Sequence, residues 1–185
     1  MRQLWNLANQ LTLFRFLLVP FILIAMVYGR HSAALALFLA AAVTDAIDGL
    51  VARRLNQRTP IGAYLDPIAD KLLLSSSFFV LAVIGSVPWW LVILILGRDA
   101  MILVTGVVIR LATSIRDFPP TVLGKANTAV QIVTVFGFVL RNAWSFPPLE
   151  WLTGQIVWLA AAVTLASGAH YAVITSRRLA RHTSQ

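Results

Sequence analysis

Residues 33–70 read AALALFLAAAVTDAIDGLVARRLNQRTPIGAYLDPIAD. The stretch opens as a largely apolar run, Ala33–Val51, with no alternation of apolar and polar positions. A run of this length is close to the ~20 residues that carry a helix across a bilayer, and without alternation it does not read as a barrel strand. It ends in Asp45 and Asp48, spaced i, i+3, then gives way to a basic segment holding Arg53, Arg54 and Arg58. A second apolar run follows Asp66 and Asp70, spaced i, i+4. Each pair of acids therefore falls on one face of a helix.

Five further spans have the same character as Ala33–Val51: Leu11–Tyr28, Ile68–Val87, Trp89–Leu111, Val122–Arg141 and Trp151–Thr175. Of the 185 residues, 59% are hydrophobic and 12% charged. Soluble domains carry about 25% charged residues, so a soluble globular enzyme, a disordered tail and a fibrous protein are excluded. The expected fold is all-α, a polytopic membrane protein with six transmembrane helices. Met1–Gln10 is expected to form a short interfacial helix, and one domain to cover residues 1–185. Leu11–Tyr28 is longer than the apolar segment of a signal peptide and contains Arg15, so it reads as a retained first span. There is no cysteine, which removes disulfides, thiolate catalysis and thiolate metal sites.

The basic residues set an orientation. Twelve of the fifteen Lys and Arg fall on one side of the spans: Arg2, Arg15, Arg53, Arg54, Arg58, Lys71, Arg110, Arg116, Lys125, Arg177, Arg178 and Arg181. Arg30 and Arg141 fall on the other, with Trp89, Trp90, Trp144 and Trp151, and Arg98 lies inside a span. This asymmetry predicts a multi-pass protein of the cytoplasmic membrane with both termini cytoplasmic. The net charge of +8 sits between apolar spans. It fits attraction to anionic headgroups and gives no reason to expect a nucleic-acid partner.

Carboxylates among membrane helices are costly and need a reason. Four of the seven, Asp45, Asp48, Asp66 and Asp70, lie within 26 residues at the cytoplasmic ends of two consecutive spans. Four acids brought together by a tight helix–loop–helix cannot all ionise without compensating charge. Hard cations with oxygen ligands, Mg²⁺ or Mn²⁺, supply it. Gly49, Ala52, Gly62 and Ala63 are small and permit close approach, and Arg53 can bind phosphate in a fork. Thr59-Pro60 reads as a cap with proline at the first helical position, and Pro67 is expected to kink the helix that follows. Acids with bound cations beside arginine suggest a phosphoanhydride or phosphodiester substrate at the cytoplasmic surface.

The pattern Asp45-x2-Asp48-Gly49-x2-Ala52-Arg53-x8-Gly62-x3-Asp66-x3-Asp70 resembles the signature of the CDP-alcohol phosphatidyltransferases, with eight fixed residues at the family's spacing. Upstream, Asn9-x2-Thr12-x2-Arg15 resembles the start of the first helix in members that make glycerophospholipids. The resemblance implies two divalent cations, one on Asp45, Asp48 and Asp66 and a second on Asp45, Asp66 and Asp70. It implies that Asp70 is also the general base. Gly49, Ala52, Arg53 and Gly62 would line the CDP pocket, while Asn9, Thr12 and Arg15 hold the nucleotide end. CDP-diacylglycerol would be the donor, a glycerol-type alcohol the acceptor, CMP the leaving product and a homodimer the assembly.

The acceptor is left between two choices, glycerol-3-phosphate and phosphatidylglycerol. Gly97-Arg98-Asp99 with Arg110, and Pro120-Thr121-x2-Gly124-Lys125-x-Asn127, resemble the cardiolipin-forming members. Asn127 stands where the glycerol-3-phosphate enzymes usually carry a second lysine. Arg98, Arg110 and Lys125 are the expected acceptor-binding residues. Arg98 and Asp99 point about 100° apart on a helix and need not pair with each other. His170 could face the interior of the bundle. Two other functions were weighed. An intramembrane prenyltransferase would carry two separated aspartate-rich motifs on a larger bundle. A cation transporter would place its acids near the bilayer midplane, with repeat symmetry.

Overall fold

The computed structural model describes residues 7–54, 60–112, 121–144 and 146–183, with side chains over 13–45, 67–109, 111, 121–144 and 146–176. The described residues form six α-helices and no strand: α1 Leu7–Val27, α2 His31–Arg54, α3 Pro60–Val83, α4 Trp89–Ala112, α5 Val122–Ala143 and α6 Pro147–Thr183. The all-helical expectation holds. Leu7–Gln10 are the first residues of α1. The rest of the expected interfacial helix lies outside the described residues.

Among the described residues, three helical segments are long and apolar enough to cross a membrane, Trp89–Ile109, Val122–Ala143 and Pro147–Ser176. Within the described side chains, α1 and α2 carry the apolar stretches Leu13–Val27 and His31–Asp45. The third helix begins at Pro60, eight residues before the expected span, with proline in its first turn, where a missing N–H costs nothing. Pro67 lies within it. The sixth helix runs beyond the expected Thr175 to Thr183.

The chain divides into two compact units, residues 1–87 with 135–146, and residues 88–134 with 147–185. In the first, α1 packs against both α2 and α3. Its core stripe is Leu18, Val19, Ile22, Ala25 and Met26, with Ala34, Phe38 and Ala41 from α2 and Leu74, Phe78 and Leu81 from α3. These positions recur at three- and four-residue intervals, as a buried helical face requires. The opposite face of α1 exposes Leu13, Leu17, Phe21 and Ile24, which suits a lipid environment better than water.

Two glycines make the sharp exits from α1 and α3. Gly29 and Gly85 have φ of 67° and 74°, a left-handed conformation that a side chain disfavours. At each, the glycine N–H bonds back to the helix (Gly29 to Met26 O, Gly85 to Ala82 O) and the next residue bonds five back (Arg30 to Ala25 O, Ser86 to Leu81 O). This is the Schellman arrangement, and it satisfies carbonyls that a helix end would otherwise orphan. Asn142 Nδ2 donates to Ser86 Oγ at 2.9 Å, and Arg141 donates to Ser86 O while stacking on Phe138, which fixes the end of α5 to the turn after α3.

In the second unit α4 packs against α6. Leu91, Val92 and Ile95 are buried on α4, and Val157, Ala160 and Ala161 on α6. The Trp90 and Trp158 rings meet 5.5 Å apart. The first turn of α5 is capped by Thr121, whose Oγ1 accepts the Gly124 N–H at 3.1 Å.

Candidate functional site

Each half of the acid motif sits on a regular helix: Asp45 and Asp48 on α2, Asp66 and Asp70 on α3. The i, i+3 and i, i+4 spacings are therefore helical spacings, as the sequence suggested. The side chains of Asp48 and Asp66 lie outside the described ones. Asp45 and Asp70 are described, and they converge on one group. Arg15 of α1 places Nη2 2.5 Å from Asp45 Oδ1 and Nη1 2.6 Å from Asp70 Oδ1. Arg15 is 1% exposed, while the two carboxylates are 50% and 46% exposed. The arginine thus lies beneath the acids, and the acids stay open to a ligand. The packing of α1 on both α2 and α3 creates this, because it lets one α1 side chain reach a carboxylate on each neighbour.

This geometry is a test of whether a cation fits. Two hard oxygen donors from different helices already share one positive group, and Asp48 and Asp66 stand one turn away on the same helices. That donor set suits Mg²⁺ or Mn²⁺ and does not suit a soft metal. Among the described residues no group of three metal-ligating side chains is present. The resemblance placed Arg15 at the nucleotide; its partners here are Asp45 and Asp70. Asn9 and Thr12 precede Arg15 on α1, Gly49, Ala52 and Arg53 follow Asp48 on α2, and Gly62 lies in the first turn of α3. Their side chains lie outside the described ones.

A second polar site lies in the second unit. Arg98 and Asp99 do pair, Nη1 to Oδ1 at 2.9 Å, because the long arginine side chain bends across the 100° between neighbours. Both are 11% exposed. Arg98 Nη2 also donates to Ser167 Oγ of α6. Arg98 and Lys125 line a pocket of about 240 Å³ with Thr121, Gly124, Thr128 and Tyr171. Of the three expected acceptor-binding residues, the structure brings Arg98 and Lys125 together. Arg110 is on α4 with its side chain outside the described ones.

Further polar groups of this unit were not anticipated. Thr164 donates to Asn127 Oδ1 at 2.9 Å, both fully buried, Ser167 accepts from Arg98, and Tyr171 lines the pocket with Arg98. A signal existed. Thr164, Ser167 and Tyr171 recur at intervals of three and four within an otherwise apolar helix, which marks one polar face. His170 is exposed, so it does not face the interior.

Comparison with known proteins decides the family. A sequence model of CDP-alcohol phosphatidyltransferase matches residues 5–166. The chain belongs to the CDP-alcohol phosphatidyltransferase family. Among its relatives is a probable phosphatidylglycerophosphate synthase of Mycobacterium tuberculosis, 41% identical over 175 residues, covering 90% of this chain and 79% of the relative. The CDP-diacylglycerol–glycerol-3-phosphate 3-phosphatidyltransferase of Bacillus subtilis is 35% identical, covering 91% and 94%. The human cardiolipin synthase (CMP-forming) is 30% identical, covering 90% of this chain and 60% of the relative. A relative named for transfer to glycerol-3-phosphate and one named for cardiolipin synthesis are thus both similar to this chain.

Proposed function

We propose that the chain is a multi-pass enzyme of the cytoplasmic membrane, one domain over residues 1–185. It transfers a phosphatidyl group from CDP-diacylglycerol to the hydroxyl of a glycerol-type acceptor, either glycerol-3-phosphate or phosphatidylglycerol, and releases CMP. Its active site and both termini lie on the cytoplasmic side, and it works as a homodimer. The observation that carries the reading is the convergence of Asp45 and Asp70 on the buried Arg15. Acids from α2 and α3 come to one point and remain half open.

Asp45, Asp48, Asp66 and Asp70 would hold two divalent cations, which when bound neutralise the diphosphate and stabilise the departing CMP. Asn9, Thr12, Arg15, Gly49, Ala52 and Gly62 bind the nucleotide, and Arg53 holds the pyrophosphate as a planar fork. Asp70 accepts the proton of the acceptor hydroxyl. The freed oxygen attacks the β-phosphorus in line, the bond from that phosphorus to the CMP oxygen breaks, and the phosphatidyl ester leaves with CMP. Arg98, Arg110 and Lys125 hold the phosphate of the acceptor.

The test is direct. Purified protein in detergent is supplied with CDP-diacylglycerol, Mg²⁺ or Mn²⁺ and each acceptor in turn, and CMP and lipid product are followed. Metal-dependent CMP release with a glycerol-type acceptor is expected. Absence of CMP with every acceptor would overturn the reading.

A further inference from the structure

Arg98 borders two spaces of opposite character within the second unit. On one side is the polar pocket with Lys125. On the other is an apolar groove of about 540 Å³ between α4 and α6, lined by Ile93, Leu94, Met101, Leu165 and Ala169. That volume lies within the ~300–1,000 Å³ of ordinary ligand sites. Two glycines open it. A Cβ built on Gly97 meets nothing within 4 Å, and one on Gly168 would lie in ordinary contact with the Arg98 stem, 3.5 Å from Cγ. On the polar side a Cβ on Gly124 would come 3.7 Å from Arg98 Nη2, so the α5 backbone itself approaches the guanidinium.

We infer that this groove seats an acyl chain of the acceptor, whose phosphate lies on Arg98 and Lys125, and that the acceptor is therefore an anionic glycerophospholipid. The inference rests on the phosphatidyltransferase reading and narrows it. The arrangement is amphipathic in the way such a lipid is: an apolar channel meets two cations at a single shared residue. The donor lipid has a different need. Its diphosphate calls for carboxylate-bound cations, and among the described residues no carboxylate lines either space, whereas a single phosphate is held by arginine and lysine directly. Glycerol-3-phosphate has no apolar part and would leave the groove without a use.

Gly97→Leu tests this, because the new side chain enters open space and leucine suits a helix better than glycine. Gly154→Leu is the control, since its Cβ also meets nothing within 4 Å and it lies outside the groove. The KM is measured for dioleoyl phosphatidylglycerol, dihexanoyl phosphatidylglycerol, glycerophosphoglycerol and CDP-diacylglycerol. In the wild type and in Gly154→Leu, KM falls as the acyl chains lengthen. In Gly97→Leu the dioleoyl KM rises about tenfold, because the new side chain takes up space the acyl chain would fill, and the donor KM stays unchanged. An unchanged dioleoyl KM, an equal rise for the donor, or CMP release with glycerol-3-phosphate but not with phosphatidylglycerol would each overturn the inference. Lack of CMP with every acceptor would instead overturn the transferase reading. The groove is then judged by native mass spectrometry: retention of phosphatidylglycerol by the wild type and its loss in Gly97→Leu support it, and equal retention overturns it.

Discussion

Arg15 in the first unit is 1% exposed and bridges carboxylates from two other helices, whereas Arg98 in the second, 11% exposed, takes its carboxylate from the next residue of its own helix. The first arrangement ties three helices together by charge and compensates acids that would otherwise repel. The second leaves the guanidinium anchored on one side by Asp99 and Ser167 and turned on the other to a pocket. Under the function proposed above, the acids that Arg15 joins would hold cations for a charged donor, and the pocket beside Arg98 would hold an acceptor phosphate directly, so that the two units would divide the needs of phosphoryl transfer.

The largest effect is expected at the acids. Asp70→Asn keeps the shape and removes the basic oxygen. CMP release should fall by about 10²–10⁴-fold, the usual contribution of a general base, with unchanged helical circular dichroism and gel-filtration profile. Full activity in this variant would remove Asp70 as the base and leave the comparison without its catalytic half.

Arg15→Gln probes the same unit through stability. The variant leaves Asp45 and Asp70 without their shared cation. Breaking a fully buried pair costs roughly 3–5 kcal/mol, but these carboxylates are half exposed, so about 1–2 kcal/mol is expected. The melting temperature in chelator should drop below that of the wild type. Mg²⁺ or Mn²⁺ should raise it more in Arg15→Gln than in the wild type, since the ion no longer competes with a guanidinium. Equal metal-induced shifts would show that Arg15 acts only as a structural tie.

Several helix features are legible in the chain itself, whereas the division into two units is not, and the limits have physical causes. The acid spacing, the Pro60 start of α3 and the apolar character of α4 to α6 are local features, set by helical periodicity and capping chemistry. The partners of the arginines are not local. Arg15 meets Asp70 across 55 positions and Arg98 meets Ser167 across 69. Such pairings follow from which helices pack together, and apolar helices with no strong amphipathic stripe say little about their neighbours. The Arg98–Asp99 pair is hidden for the opposite reason: the angle between adjacent Cβ directions is fixed, but a long side chain can bend across it. For Asn9, Thr12, Asp48, Gly49, Ala52, Arg53, Gly62, Asp66 and Arg110 the roles rest on the family motif and on helix position.

In the second unit, Arg98→Gln should raise the acceptor KM by about 10–100-fold, the worth of one charge-assisted hydrogen bond of roughly 1.5–3 kcal/mol. The KM for CDP-diacylglycerol should not move. Arg98→Lys should recover part of the loss, because it restores charge without the planar fork. A parallel rise in donor KM would erase the proposed division between a donor unit and an acceptor unit.

The smallest effect is expected at Thr164→Val, which removes the hydrogen bond to Asn127 between α6 and α5 and changes no charge. In a soluble core, leaving a buried acceptor unsatisfied costs about 1–3 kcal/mol. Hydrogen bonds between membrane helices average nearer 0.6 kcal/mol, because the separated helices find other partners. A loss below about 1 kcal/mol in detergent melting is therefore expected, with the Arg15→Gln effect clearly larger. Asn127→Leu in the Thr164→Val background should return part of the stability, since no buried polar group of the pair remains. A Thr164→Val loss as large as that of Arg15→Gln would mean that neutral polar contacts hold the second unit as firmly as charge holds the first, and the contrast between the two units would then concern ligand chemistry alone.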